Sequence, residues 1–266
     1  MGGTAEKLAS LRATLATAGL ETLVTNVRVP LGCKPADAVL KGGLERGALH
    51  EVYAATNSES AATAFTVGLA SRVAGKKKIL WIRQDFSAVE FGELSATGFL
   101  ELGIDPSQIL LVCTAHADDA IKAASDALTC AALGAIVIEI PGAPKILDLV
   151  TSRRLTLAAA QKNVTAFLLR FAAKPEASTA ETRWRIRAAA SSKEEENWGQ
   201  PVFETELVRN RHGRTGHWVM EWNCDEGLFR ESDGRQPAHY RAVVSAAGDG
   251  SAAAPLESAR NTHAVG

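Results

Sequence analysis

A chain of 266 residues that is 46% hydrophobic and 22% charged can bury a sizeable core, which excludes wholesale disorder and sets the scale at one large α/β domain with appendages or two small domains. The net charge of −1 gives no global pull toward nucleic acid, so any contact with phosphates must come from local patches. Cys33, Cys113, Cys130 and Cys224 show no C-x-x-C pairing and no histidine at ligand spacing, which reads as reduced thiols in a cytosolic protein and argues against a zinc site.

The N-terminus lacks the continuous apolar segment of a secretory signal, and no run approaches the ~20 apolar residues of a membrane span. Glu6 breaks the myristoylation pattern that would follow Met1-Gly2. The expectation is a cytoplasmic protein without a membrane contact. Leu8, Leu11, Leu15 and Ala18 recur at helical spacing and Gly19 is a stop, so residues 5–18 read as a short amphipathic helix. A helix this short is marginal alone, so its apolar stripe must be buried on this chain, on a second copy or on a partner.

After this helix and its linker (1–28), the core is expected over 29–230. Val29-Pro30-Leu31-Gly32 and the glycine-rich passage 38–47 lead into an apolar strand at 48–54, and Glu59 to Val73 has the spacing of a buried helix. In nucleotide-binding proteins this strand-loop-helix junction carries G-x-x-x-x-G-K-[ST], whose glycines let backbone N–H groups wrap the phosphates while lysine and a hydroxyl serve phosphate and Mg²⁺. Here the loop is Ala54-Ala55-Thr56-Asn57-Ser58-Glu59-Ser60-Ala61, without glycine or lysine. Thr56 and Glu59 have capping-box spacing, so their side chains are expected to fill the N–H groups that would otherwise hold an anion. A carboxylate about 4 Å from a phosphate oxygen costs roughly 4 kcal/mol at an effective dielectric of about 20. The expectation is therefore no cofactor, no metal and no catalytic residue.

Lys76-Lys77-Lys78 form a solvated turn before a buried strand at 79–83, with Asp85 just beyond it. A helix is expected over 87–102, a strand at 109–113, a helix at about 117–133, and a strand at 135–140 that carries Glu139 near its end. As a lone acid, Glu139 reads better as a capping or salt-bridged carboxylate than as a metal ligand. Residues 145–162 read as a helix containing Ser152-Arg153-Arg154-Leu155-Thr156-Leu157-Ala158-Ala159-Ala160, followed by a strand at 164–170 and a short polar loop at 175–180. Strands alternating with helices predict a mostly parallel sheet flanked by helices.

The run 182–188 alternates strictly, which places Arg183, Arg185 and Arg187 on one face of a strand and Trp184 and Ile186 on the other. Two alternating strands, 202–208 and 217–222, form a C-terminal hairpin with Trp218, Met220 and Trp222 on one face, joined by the basic loop 209–216. Arg183, Arg185, Arg187, Arg209, Arg211 and Arg214 are the candidate contacts to DNA or to an acidic partner, set against a solvated edge kept soluble by charge. The acidic linker 193–196 is a candidate shield for them. Residues 231–266, rich in Ala, Gly and Ser with no apolar period, read as mostly disordered.

The passage Leu40-Lys41-Gly42-Gly43-Leu44-Glu45-Arg46-Gly47 resembles the lead-in to the first core strand of RecA-like ATPases. On that register Ser60 stands where the lysine belongs, Ala61 where the Mg²⁺ hydroxyl belongs, Glu139 at the Walker B position and Asp85 where an acid activates water. The resemblance implies the fold while the residues argue against the chemistry. Together with the run 152–160, the strand 181–186 and the turn Arg209-Asn210-Arg211-His212-Gly213-Arg214-Thr215-Gly216, it is similar to ImuA, a family of RecA-like proteins of the bacterial SOS mutagenesis cassette, over about residues 28–230. The resemblance implies an accessory protein of damage-induced translesion synthesis that acts with an ImuB-like protein and an error-prone replicative-type polymerase, and the loop without glycine or lysine makes the expectation a noncatalytic one. RecA, a second copy, and weak contact with single-stranded DNA stand as further candidate partners, with Leu8, Leu11 and Leu15 as candidates for self-association. The alternatives are a division inhibitor resembling SulA and a degenerate RecA-like ATPase.

Overall fold

The computed structural model describes residues 27–55, 59–191 and 199–232. Its strands are β1 (Arg28–Val29), β2 (Leu44–Glu45), β3 (Leu49–Ala54), β4 (Lys78–Gln84), β5 (Ile109–Thr114), β6 (Leu133–Glu139), β7 (Thr165–Arg170), β8 (Thr182–Ala189), β9 (Val202–Asn210), β10 (Gly216–Asn223) and β11 (Leu228–Glu231). The helices are α1 (Lys34–Val39), α2 (Glu59–Ala74), α3 (Ser87–Phe91), α4 (Ala96–Glu101), α5 (Ala117–Ala127) and α6 (Leu149–Lys162). β1 and β2 make a small antiparallel ribbon, and the rest form one nine-stranded sheet of order β11-β10-β9-β8-β3-β7-β6-β4-β5.

Strands that are apolar on both faces need cover on both, and β6 and β7, buried at every position, lie at the centre of the parallel part. α2 covers one face, packing Phe65, Leu69 and Val73 among Val52, Trp81, Val137, Phe167 and Trp184. α5 and α6 cover the other, over Leu49, Ile82, Ile136, Ile138 and Leu168. This is the α/β class that the alternating pattern predicts, with β9, β10 and β11 added beyond β8, each antiparallel to the strand before it.

The antiparallel strands complete the core under α2. Trp218, Met220 and Trp222 share one face of β10, and Trp222 lies edge-on to Phe229 of β11 at 4.8 Å between ring centroids. Gly68 lets α2 come down onto these rings, because a Cβ there would lie 3.0 Å from Phe229 Cζ and 3.2 Å from the Trp222 ring. β11 was not anticipated, and it carries the fold to Glu231, where the tail was expected to begin. The rest of that tail (233–266), the acidic linker at 193–196 and the helix bearing Leu8, Leu11 and Leu15 lie outside the described residues.

Several boundaries differ from expectation for local reasons. The helix expected over 87–102 is two, because Gly92 adopts φ 88° after Phe91 and Ser95 caps a new start by accepting from Gly98 N. The helix expected from Lys145 begins at Leu149, where the Asp148 carboxylate accepts from Thr151 N, and it ends at Asn163 in the left-handed region. α5 stops at Ala127 and β6 already starts at Leu133.

His50 of β3 ties β3 to β8, the parallel strand beyond which the antiparallel strands are added. It is fully buried and stacked on Phe167, its Nε2 lies 2.9 Å from the Glu45 carbonyl oxygen and its Nδ1 2.8 Å from Thr182 Oγ1. Trp184 Nε1 donates to the same Thr182 hydroxyl, so the network assigns the proton of a neutral ring to Nε2 and leaves Nδ1 as acceptor. Burial lowers the pKa of His50 to about 4. The unfolded chain therefore takes the proton first: the stability linked to this ring is complete above pH ~6.5 and falls away as pH drops toward 4, by on the order of 3 kcal/mol. Urea denaturation across that window should show wild-type stability falling more steeply than that of His50→Gln, and parallel slopes would contradict the assignment.

Candidate functional site

At the carboxyl ends of the parallel strands, α2 begins where a phosphate loop would deliver its helix. Thr56 and the side chain of Glu59 lie outside the described residues, so the expected capping box does too. Ser60 is exposed and the Ala61 methyl is buried. Glu139, on the same sheet face as α2, is register partner to Arg83 of β4. Its Oε1 accepts from Arg83 Nη2 at 2.9 Å and its Oε2 from Trp81 Nε1 at 2.8 Å, with Arg83 and Glu139 3% and 1% exposed. Burial pushes the Glu139 carboxyl up, while the guanidinium and the indole N–H pull it back down.

Both carboxylate oxygens are thus engaged, and a cation already occupies the position next to the acid. Arg83 also donates to Gly92 O at 3.0 Å, which ties the loop after α3 to the pair. Beside it lies a cavity of about 210 Å³ lined chiefly by Val67, Phe91, Leu94, Phe99 and Phe171, with Ser60 at its rim. That is below the roughly 300 Å³ at which pockets for drug-sized ligands begin. These residues do not fit a nucleotide with its metal: lysine and metal hydroxyl are missing and the acid is neutralised by the protein itself. Asp85 is exposed and its amide donates to Thr114 O. Of the lysine turn, Lys77 and Lys78 are tied to the carbonyl oxygens of Ala131 and Ser107.

The candidate arginines do not form one basic strip. Arg183 is partly buried and ion-paired with the Glu51 carboxylate and donates to Glu176 O, and Arg209 donates to Ser178 O, so this register pair anchors the loop 175–180. Arg185 and Arg187 face Glu206 and Glu204 across β9 at 3.0 and 3.6 Å, with His217 of β10 on Glu204 at 3.1 Å. These pairs are about half exposed and stabilise little, but they cancel the charge that the alternation promised. Arg211 and Arg214 remain at the hairpin tip, exposed and without an ion pair among the described residues. The tip is moored and not free: Asn210 Nδ2 donates to Val39 O and Arg214 O, and His212 lies 3.5 Å from Glu181.

No family model matches the chain. It is similar to Protein ImuA from two strains of Caulobacter vibrioides, each 29% identical over 207 residues, covering 71% of this chain and 79% of the relative. The chain is a distant relative of ImuA.

In this ImuA relative, reasoning from the sequence missed Arg83, which entered only as the end of a buried strand. An arginine closing an otherwise apolar strand was the available signal, since a buried guanidinium needs an acid beside it. The same signal was present at Arg170, which lies over Tyr53 at 5.8 Å from the ring centroid, as Arg183 does at 5.6 Å. Breaking the Arg83–Glu139 pair from one side leaves a buried charge. Arg83→Met should therefore cost about 3–5 kcal/mol, and Arg83→Met/Glu139→Leu clearly less than the sum of its single substitutions. Additive losses in urea melts would show that the two groups are not coupled.

Proposed function

We propose that this chain is a noncatalytic accessory protein of damage-induced translesion DNA synthesis, acting with an ImuB-like protein and an error-prone replicative-type polymerase. The similarity to Protein ImuA over 207 residues carries the reading. What supports its noncatalytic part is the loop without lysine or glycine and the engagement of both Glu139 oxygens by Arg83 and Trp81. Of the six candidate arginines, Arg211 and Arg214 are the ones still offered to an outside molecule, so the hairpin tip is the contact surface for the partner or for single-stranded DNA.

Calorimetry with ATP and Mg²⁺ should show no micromolar binding, and a stoichiometric micromolar site would overturn the noncatalytic reading. In the source bacterium, deletion of the gene should lower the mutation frequency after ultraviolet damage and the wild-type gene should restore it. Arg211→Glu/Arg214→Glu should restore it poorly although the protein melts normally. A deletion strain that mutates at the parental frequency would remove the pathway, and full restoration by the double variant would remove the tip from it.

A further inference from the structure

We propose that the outward side of α6 docks an acidic amphipathic helix of a partner protein. α6 turns Thr151, Ser152, Leu155 and Ala159 inward. At about 100° per residue, the opposite side is centred on Val150 and Leu157, two turns apart, with Arg153 and Arg154 between them. Val150 is 65% exposed, Leu157 56% and Leu149 52%, although the helix has already buried a full face against the sheet.

A face meant only for water would carry charge along its centre line. Here Val150 and Leu157 lie on that line, with arginines at the third and fourth positions after Val150 and Gln161 closing it, the layout by which one helix seats on another. Scattered single apolar residues need no explanation, but this is a second ordered stripe on one helix.

Charge selects the occupant. The sequence of α6 contains Arg153, Arg154 and Lys162 and no Asp or Glu, and the Asp148 carboxylate before it is taken up by capping Thr151 N. Arg153 and Arg154 are exposed and make no hydrogen bond or ion pair among the described residues. A second copy is a poor match, because two-fold pairing about the middle of the stripe would set these arginines against themselves. Apolar residues at the centre of the face favour a protein helix over a phosphate backbone. This surface lies on the sheet face opposite α2 and Glu139 and does not depend on the pathway proposed above.

The test uses the full chain and a labelled synthetic helix with leucines at a/d spacing flanked by glutamates, with its lysine counterpart as control, read by fluorescence anisotropy. The glutamate helix should bind at least ~10-fold more tightly than the lysine helix. Val150→Ser/Leu157→Ser and Arg153→Glu/Arg154→Glu should each weaken binding by at least ~10-fold without lowering the melting temperature. Equal binding of both helices, or binding unchanged in both variants, overturns the proposal. So does a wild-type dimer that Val150→Ser/Leu157→Ser turns into a monomer, an oligonucleotide that binds in a manner lost with Arg153→Glu/Arg154→Glu, or a serine variant that unfolds, which would place the stripe in the fold.

Discussion

The pair of Arg83 and Glu139 is the constraint on which the upper end of this molecule depends. Two opposite charges, each almost wholly withdrawn from water, stand in the middle of this sheet on the strength of their mutual geometry, while Arg83 Nε and Nη1 have no hydrogen-bond partner among the described residues. The pairing is made possible by register, since β4 and β6 run parallel with these two residues level. Trp81, two residues earlier on the same face of β4, supplies the second hydrogen bond. Because Arg83 also holds Gly92 O, the break between α3 and α4 is fixed by the same guanidinium. Here the Glu139 carboxylate is committed to holding strands and a loop together.

α2 is held from two sides, and that couples the two halves of the sheet. Its inner residues lie on β3, β6 and β7, while Phe65 touches the rings of Trp184, Phe203 and Phe229 from the antiparallel extension. Packed on the parallel strands alone, α2 would be an ordinary crossover helix. Clasped this way, with Gly68 seated against Trp222 and Phe229, it is instead the hub of the core.

The class of fold was legible because each central strand is an apolar run and each crossover a helical period, signals that survive without tertiary knowledge. The inward face of β10 was equally legible from Trp218, Met220 and Trp222 alternating with polar residues. β11 was not, since four residues are too few to show a period. The site was harder still. Strict alternation correctly put Arg183, Arg185 and Arg187 on one face, but whether they are free depends on what lies across from them. Glu51 is 132 residues away, and the match of Glu204 and Glu206 to Arg187 and Arg185 depends on a register shift between Arg183 and Trp184. No local pattern in the chain reports either fact.

The topology also bears on how the basic hairpin can act. β9 runs antiparallel to β8, so its far end and the tip lie at the amino-terminal end of the parallel strands, where Arg211 N donates to Glu181 O just before β8. Glu139 lies at the carboxyl end of β6, and from β9 the sheet order passes through β8, β3 and β7 before reaching it. Those strand spacings alone amount to on the order of 20 Å, and Glu139 faces α2 within the core. Arg211 and Arg214 are therefore out of reach of the site on their own chain. Moored by Asn210 to α1 and by His212 near Glu181, the tip holds Arg211 and Arg214 exposed at the end of the sheet opposite to Glu139.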